Sequence, residues 1–325
     1  MRVVYTSPVE MTIRDLSPLF LRTVAVILGL LWGSFLNVVI YRVPRDMSVV
    51  RPPSHCPGCG EPVRAYDNIP VLSYLALRGR ARCCGAKLSP RYPIVEMIGG
   101  LLSLACAEMV LRQADADTTL LRASAIYVAD FALCLALVAA AFIDAEHMYL
   151  PDTITIGGAI LGIGTASLRD LRYVDSCIGA LVGFFGVYLP FVFLYKRLRG
   201  RAGMGLGDAK LMMLAGAWFG WPGAVFAFFA GSVQGTIAAL VIFLVRGKIE
   251  EPEQVKLERA ELERDAAAGD EEAKQLLADD PLGKAPDEGL MAARLSFGPF
   301  LILGCLEYLF FGVFIRSAYF DVYFQ

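Results

Sequence analysis

Histidine and formal charge are both scarce in this sequence of 325 residues. The two histidines, His55 and His147, exclude a site built from several imidazoles, and the HExxH pattern of zinc peptidases is absent. Charged residues make up 19% of the chain and the net charge is −2, so the overall balance points to no polyanionic partner such as nucleic acid. A glycine-rich dinucleotide-binding fingerprint and internal repeats are also missing.

Apolar residues are abundant instead, at 56% of the chain, compared with about 45–50% in soluble domains. Several apolar runs are long enough to cross the hydrocarbon core of a lipid bilayer. We therefore predict an all-α polytopic membrane protein with about eight transmembrane helices, the first retained rather than cleaved as a signal peptide. The expected spans are 20–41, 94–111, 123–143, 153–168, 175–195, 209–220, 223–245 and 297–315. The run 209–220 is too short to cross upright, so a re-entrant or partial helix is an alternative there.

Basic residues in the loops predict the orientation of these helices. The segment 42–93 carries nine Lys or Arg against three Asp or Glu, and the loop 196–201 is also basic. Loops after odd-numbered helices are therefore expected in the cytoplasm, with both chain termini outside. This topology brings Asp144, at the end of the third helix, and Asp208, at the start of the sixth, to the same side of the membrane.

The chain is expected to divide into five parts. They are the N-terminal segment and first membrane helix (1–41), a cytoplasmic cysteine-containing domain (42–93), a membrane catalytic core (94–245), a charged cytoplasmic insert (246–294), and the last membrane helix with the C-terminal tail (295–325). Because the insert is strongly charged and poor in apolar residues, we expect one or two solvated helices and flexible linker that dock on nothing; a partner-docking role is the alternative. We also expect the insert to be dispensable for catalysis.

Asp144 and Asp208 are the candidate catalytic residues, because ionisable groups within membrane helices are rare and usually functional. Helix capping explains Asp208 but not Asp144, since the dipole at a helix C-terminus disfavours an anion. Two close carboxylates share one proton, so one can activate a water molecule while the other polarises a peptide carbonyl. The pattern therefore indicates an aspartyl peptidase.

Two other readings use the same residues. Proton-coupled transport also relies on membrane aspartates, although transporters place them nearer the bilayer midplane. A metal could bind Asp144, Glu146 and His147, but no second histidine lies nearby in the sequence. Asp152, which follows Pro151, is expected to cap the next helix.

Four of the eight cysteines lie in the cytoplasmic segment 42–93, namely Cys56, Cys59, Cys83 and Cys84. A reducing compartment disfavours stable disulfides there. Four thiolates suit tetrahedral zinc, which can hold together a loop too small to have its own core. The sequence thus predicts a structural zinc site.

Six segments, in chain order, resemble the signatures of the type IV prepilin peptidase family. They are GSFLNVVIYRVP (33–44), CPGC (56–59), SPRYPIVE (89–96), the segment 143–152, GLGDAK (205–210) and FGPF (297–300). The resemblance implies a membrane aspartyl peptidase with Asp144 and Asp208 as its catalytic pair. It implies cleavage of the short basic leaders of prepilins and pseudopilins after a glycine, at the cytoplasmic face of the bacterial inner membrane.

The resemblance also implies that the enzyme methylates the new N-terminal residue, with S-adenosylmethionine as the methyl donor; a peptidase without this activity is the alternative. Asn37, Arg42 and Glu96 are candidates for the methylation site, but polar contacts at helix ends explain them equally well. Likewise, Lys210 either tunes the aspartate pair or is a basic residue at the membrane interface.

The second cysteine pair departs from the family pattern, which is CxxC. Aligned on Gly85, the third cysteine position holds Ala81, and Cys83 is displaced to the neighbour of Cys84. Adjacent cysteines reach one ion only with an unusual backbone, so His55 is an alternative fourth ligand.

Overall fold

The computed structural model describes residues 11–115, 117–200, 203–247, 251–279 and 295–317. Within these ranges the chain forms α-helices joined by short 3₁₀ turns, and its only extended pairing consists of isolated bridges. The helices are α1 (Pro18–Arg42), α2 (Leu72–Ala76), α3 (Arg91–Gln113), α4 (Leu120–His147), α5 (Asp152–Gly164), α6 (Tyr173–Val187), α7 (Tyr195–Arg199), α8 (Leu206–Arg246), α9 (Glu253–Ala267), α10 (Glu271–Asp279) and α11 (Gly298–Ile315). The all-α prediction is confirmed.

Among the described residues, six helices are long and apolar enough to cross a membrane. They are α1, α3, α4, the continuous run Tyr173–Arg199, α8 and α11. The polytopic prediction is confirmed, but the count of eight is not. Helix α5 has only 13 residues, which is about 20 Å at 1.5 Å per residue and shorter than the ~30 Å hydrocarbon core.

The 41 residues of α8 form two helical arms, because Gly220 interrupts the helix with φ 72° and ψ 179°. Gly220 lies against Gly179 of α6. Residues before and after Gly220 both contact Phe191. The backbone N–H of Gly203 donates to the Phe191 carbonyl, and the Phe228 ring lies 5.6 Å from the Phe191 ring. The chain therefore reverses at Gly220, where only glycine adopts this conformation without strain. The expected short helix 209–220 corresponds to the first arm of α8.

The chain consists of two compact units, 1–139 and 140–325. In the first unit, α1 and α3 cross at glycines. A Cβ added at Gly29 would lie 2.5 Å from the carbonyl oxygen of Gly99, and one added at Gly33 would lie 2.8 Å from the Cα of Glu96. Small residues at this spacing let the helix backbones touch, as is typical of helix pairs in membranes. The crossing fixes the position of Glu96 relative to α1.

In the second unit, α8 packs against α6 and α11, again through small residues. A Cβ at Gly231 would lie 2.8 Å from the Cα of Leu301, and one at Gly304 would lie 2.7 Å from the carbonyl oxygen of Ala227. This close packing of α11 on the second arm of α8 fixes the start of α11, which begins at Gly298.

The charged insert forms two helices, α9 and α10, over its described residues; residues 248–250 and 280–294 lie outside them. The expectation that the insert docks on nothing is wrong for α9. Glu258 accepts a hydrogen bond of 2.6 Å from Nδ1 of His147, the last residue of α4. Val255 is buried, and Arg259 forms a buried ion pair of 2.8 Å with Glu251. Individual positions of α9, above all Glu258, thus supply contacts that the mean composition of the insert conceals.

Deleting residues 252–290 is still expected to leave peptide cleavage within about threefold of the wild type. The hydrogen bonds to Asp144 and Asp208 in the described structure come from residues outside the insert. We expect lower thermal stability instead, because buried His147 loses its partner. Thermal unfolding and cleavage rates, with Glu258→Ala as the variant that removes only the contact, measure both effects. A folded deletion variant that has lost cleavage would contradict this expectation.

Candidate active site and cysteine cluster

Asp144 lies one turn before the end of α4 and is 6% exposed. Its Oδ2 accepts a hydrogen bond of 2.7 Å from Ser296 Oγ and one of 3.0 Å from the backbone N–H of Gly298. Both donors belong to the segment that enters α11, over 150 residues later in the chain. The dipole of α4 disfavours a negative charge at Asp144, near the C-terminus of that helix. The N-terminus of α11 stabilises this carboxylate instead.

Asp208 occupies the first turn of α8, where its Oδ2 accepts a hydrogen bond of 3.0 Å from the backbone N–H of Gly205. This is the capping arrangement predicted from the sequence. Asp208 lies within electrostatic range of Asp144, which is 64 residues earlier in the chain. The start of α11 holds Asp144, and the backbone N–H of Gly205 holds Asp208.

Lys210 pairs with Asp152 and not with either member of the aspartate pair. Its Nζ lies 2.6 Å from Oδ1 and 2.8 Å from Oδ2 of Asp152. The expectation that Asp152 caps α5 is wrong: Pro151 is the capping position and Asp152 is the first helical residue. The ion pair joins the starts of α5 and α8, and it lies two residues beyond Asp208.

Gly298→Ala is expected to lower the cleavage rate by about 10- to 100-fold. A Cβ at this position would lie 2.6 Å from Oδ2 and 2.9 Å from Cγ of Asp144, so the carboxylate has to move. A displacement of about 1 Å in a catalytic group costs on the order of 100-fold in rate. Steady-state cleavage of a peptide carrying the leader sequence measures the loss.

Gly186→Ala is the matched control, because a Cβ there meets no atom within 4 Å. We expect it to cleave at the wild-type rate. Equal rates for the two alanine variants would show that the position of Asp144 does not limit the reaction.

The four cytoplasmic cysteines converge in the first unit. Their Sγ atoms all lie within 4.8 Å of one another, with 3.3 Å between Cys59 and Cys83 and 3.7 Å between Cys56 and Cys84. Sulfurs bound to one tetrahedral zinc at ~2.3 Å are ~3.8 Å apart. Among the described residues the cluster of potential ligands consists of these cysteines and leaves out His55. The alternative with His55 as a ligand is therefore not supported.

Two turns of the same geometry hold the cluster. In the first, the amide of Gly60 donates to the carbonyl of Cys56, and in the second the amide of Gly85 donates to the carbonyl of Ala81. The turn 81–85 thus corresponds to 56–60, with Ala81 in the place of Cys56 and Cys83 in the place of Gly58. A Cβ at Gly58 would lie 3.2 Å from the Sγ of Cys84, so this position points into the cluster. Cys83 supplies its thiol from there.

The donor set fits a zinc ion. Hydrogen bonds from the backbone N–H groups of Gly58 and Cys59 lower the pKa of the Cys56 thiol to about 6, which favours the thiolate that metals bind. Four sulfurs at tetrahedral spacing, in a segment whose described residues include only short helices and turns, are typical of a structural site.

The three candidates for the methylation site have different surroundings. Arg42 is buried and its guanidinium donates to the carbonyls of Ser48 and Pro52, at 2.9 Å and 2.7 Å, so it holds the loop after α1. Asn37 and Glu96 are also buried, and all three residues line one cleft of the first unit.

Sequence reasoning missed the hydrogen-bond donors of Asp144. Gly298 belongs to the segment FGPF (297–300), which resembles a family signature. The resemblance singled out this position but did not indicate that its backbone N–H donates to Asp144. Ser296 and the partner of His147, Glu258, carried no sequence signal, because single polar residues in a charged region have many ordinary explanations.

Comparison with known proteins gave matches to two family models. The sequence model of the bacterial peptidase A24 N-terminal domain matches residues 27–110, which include the cysteine cluster. The sequence model of the type IV leader peptidase family matches residues 131–240, which include both aspartates.

Several curated relatives share both regions. A prepilin leader peptidase/N-methyltransferase of Myxococcus xanthus is 40% identical over 223 residues, covering 68% of this chain and 63% of that protein. Its counterpart in Neisseria gonorrhoeae is 35% identical over 260 residues, covering 72% of this chain and 86% of that protein. The Pseudomonas aeruginosa protein of the same description is 33% identical over 253 residues. No solved structure gave a significant match.

Proposed function

Because the chain belongs to the type IV leader peptidase family, we propose that it cleaves the leader peptides of prepilins or pseudopilins and methylates the new N-terminal residue. The curated relatives are described as bifunctional enzymes of this kind. We place the reaction at the cytoplasmic face of a bacterial inner membrane, since the expected topology puts both aspartates on the same side as the basic segments 42–93 and 196–201.

The observation that carries the peptidase proposal is that Asp144 and Asp208 are each held by a backbone N–H at a helix start, with the charge of Asp144 acting on Asp208. In our proposal the ionised member of the pair removes a proton from a water molecule, and the protonated member donates a hydrogen bond to the scissile carbonyl. The water oxygen bonds to the carbonyl carbon and gives a tetrahedral diol. The C–N bond then breaks as the pair returns a proton to the leaving amine. The titration belongs to the pair rather than to either residue.

Ser296, Gly298 and Gly205 orient the carboxylates in this scheme. They donate to one oxygen of each aspartate and leave the other oxygen for water or substrate. Such preorganisation by fixed donors lowers the cost of placing charge during the reaction.

We further propose that Cys56, Cys59, Cys83 and Cys84 hold a structural zinc ion, and that S-adenosylmethionine supplies the methyl group. Zinc would link the two turns of the cysteine cluster and has no part in the cleavage scheme. The four convergent sulfurs support the first proposal, and the N-methyltransferase relatives support the second.

Product mass after co-expression with a prepilin tests the proposed function. We expect a pilin that has lost its leader and gained one methyl group. Loss of the leader without the methyl group would favour the peptidase-only alternative. An intact precursor would refute the proposal for that substrate, and a panel of prepilins and pseudopilins from one bacterium extends the test.

A further inference from the structure

Proceeding from the proposed methyl transfer, we propose that a cleft within the first unit, between the C-terminal end of α1 and the start of α3, binds S-adenosylmethionine. Asn37 and Glu96 are its polar anchors. The cleft has a volume of about 220 Å³ and is open to solvent, so a long ligand can extend beyond it. Its lining combines aromatic rings and apolar side chains with many polar and charged groups.

Asn37 presents an unused hydrogen-bond acceptor. The residue is 4% exposed, and its Nδ2 donates to the carbonyl of Tyr92 at 3.1 Å and lies 3.4 Å from that of Gly33. Two carbonyl neighbours fix the amide orientation, because only the nitrogen can donate to them. The buried Oδ1 has no partner among the described residues. A buried acceptor without a donor is costly, so a ligand donor is the natural partner for this oxygen.

Glu96 places a carboxylate on the same cleft. It is 8% exposed, and its Oε2 accepts a hydrogen bond of 2.7 Å from the backbone N–H of Val71. Val71 has φ +60°, a strained conformation for a β-branched residue. The Glu96 contact therefore holds the loop at 71 in place beside the cleft, and no basic side chain neutralises Glu96 among the described residues.

The lining holds charged groups of both signs, including Arg42, Asp67 and Glu96. The guanidinium of Arg42 is used by two backbone carbonyls, and Asp67 is paired with Arg82 at 2.9 Å. Glu96 is the acidic group left for a ligand in this lining. S-adenosylmethionine carries a sulfonium, an ammonium and two ribose hydroxyls, all of which suit a carboxylate and an amide oxygen.

Three tyrosines, Tyr41, Tyr74 and Tyr92, supply aromatic surface to the same lining. A planar base gains contact area and stacking from such rings. When bound, the donor supplies an electrophilic methyl: the amine lone pair forms the N–C bond, the C–S bond breaks onto sulfur, and the resulting ammonium releases a proton to water. The residues of the chain bind and orient the two reactants.

Direct binding of S-adenosylmethionine to the purified full-length protein, measured by titration calorimetry, tests the proposal. Glu96→Gln and Asn37→Leu are expected to weaken binding by at least about tenfold, the effect of losing one hydrogen bond to a charged ligand. Tyr41→Ala, at a half-exposed ring, is a further variant that the fold is expected to tolerate. Glu61→Gln is the matched control, since Glu61 is an exposed carboxylate of the same segment outside this cleft.

The outcomes separate this proposal from the proposed function. Cleavage of the prepilin reports whether the membrane core of each variant is folded. Cleft variants that cleave and bind S-adenosylmethionine like the wild type overturn the proposal, even when the wild type methylates its product. A cleft variant that binds the donor normally but raises the KM for the cleaved peptide overturns it too, because the cleft then holds the acceptor. A wild type that methylates without measurable donor binding up to millimolar concentration also overturns it.

Discussion

Asp208→Asn and Asp144→Asn are each expected to reduce leader cleavage by at least about 10³-fold, since each removes one member of the acid–base pair. The substitution keeps the size of the side chain. For Asp144 it also keeps an oxygen that can accept from Ser296 and Gly298, so the fold is expected to persist. Steady-state cleavage of a purified prepilin in detergent measures the loss, and circular dichroism confirms the helical content.

Asp175→Asn is the control for this pair of variants. Asp175 begins α6 and forms an ion pair with Arg172 at 2.6 Å. Exposed pairs of this kind contribute at most about 1 kcal/mol, so we expect cleavage within about twofold of the wild type. A peptide that already lacks its leader separates the two activities, because both active-site variants should still methylate it. Cleavage that survives in both variants would refute the catalytic pair. The alternative, that these aspartates serve proton-coupled transport, would then have to be tested.

Cys83→Ser is expected to weaken zinc binding by more than about 100-fold and to destabilise the segment 42–93. Structural zinc contributes on the order of 10 kcal/mol to small domains that lack their own core. Zinc content per chain after dialysis against a weak chelator, together with thermal unfolding, measures both effects. A wild-type protein without zinc would refute the metal site itself.

The double variant Ala81→Cys with Cys83→Gly provides the matching rescue. In the structure Ala81 has the place of Cys56, and Cys83 has the place of Gly58, in two turns with the same hydrogen bonds. Moving the thiol to position 81 gives the second turn the CxxC spacing of the first, so we expect zinc binding to return. Failure of this variant alone, with one zinc in the wild type, would show that the two turns are not equivalent around the metal.

Local patterns were enough for the parts of this protein that depend on neighbouring residues. The apolar runs predicted its helices, because a segment surrounded by lipid must satisfy its own backbone hydrogen bonds. The glycines and Asp208 of the segment GLGDAK predicted a capped helix start. Spacing also marked the four cysteines as a group, although the sequence left the fourth ligand open between Cys83 and His55.

Tertiary packing decided what depends on residues distant in the chain. The N-terminus of α11 stabilises Asp144 through Ser296 and Gly298, the ion pair of Lys210 with Asp152 joins two helix starts, and Glu258 docks α9 on His147. The reversal at Gly220 likewise becomes visible only from the contacts of both arms of α8. The sequence by itself thus determined which segments are helical and which residues are candidates for the chemistry. The tertiary structure decided which partners those residues meet, because side-chain contacts depend on helix crossings that no local pattern encodes.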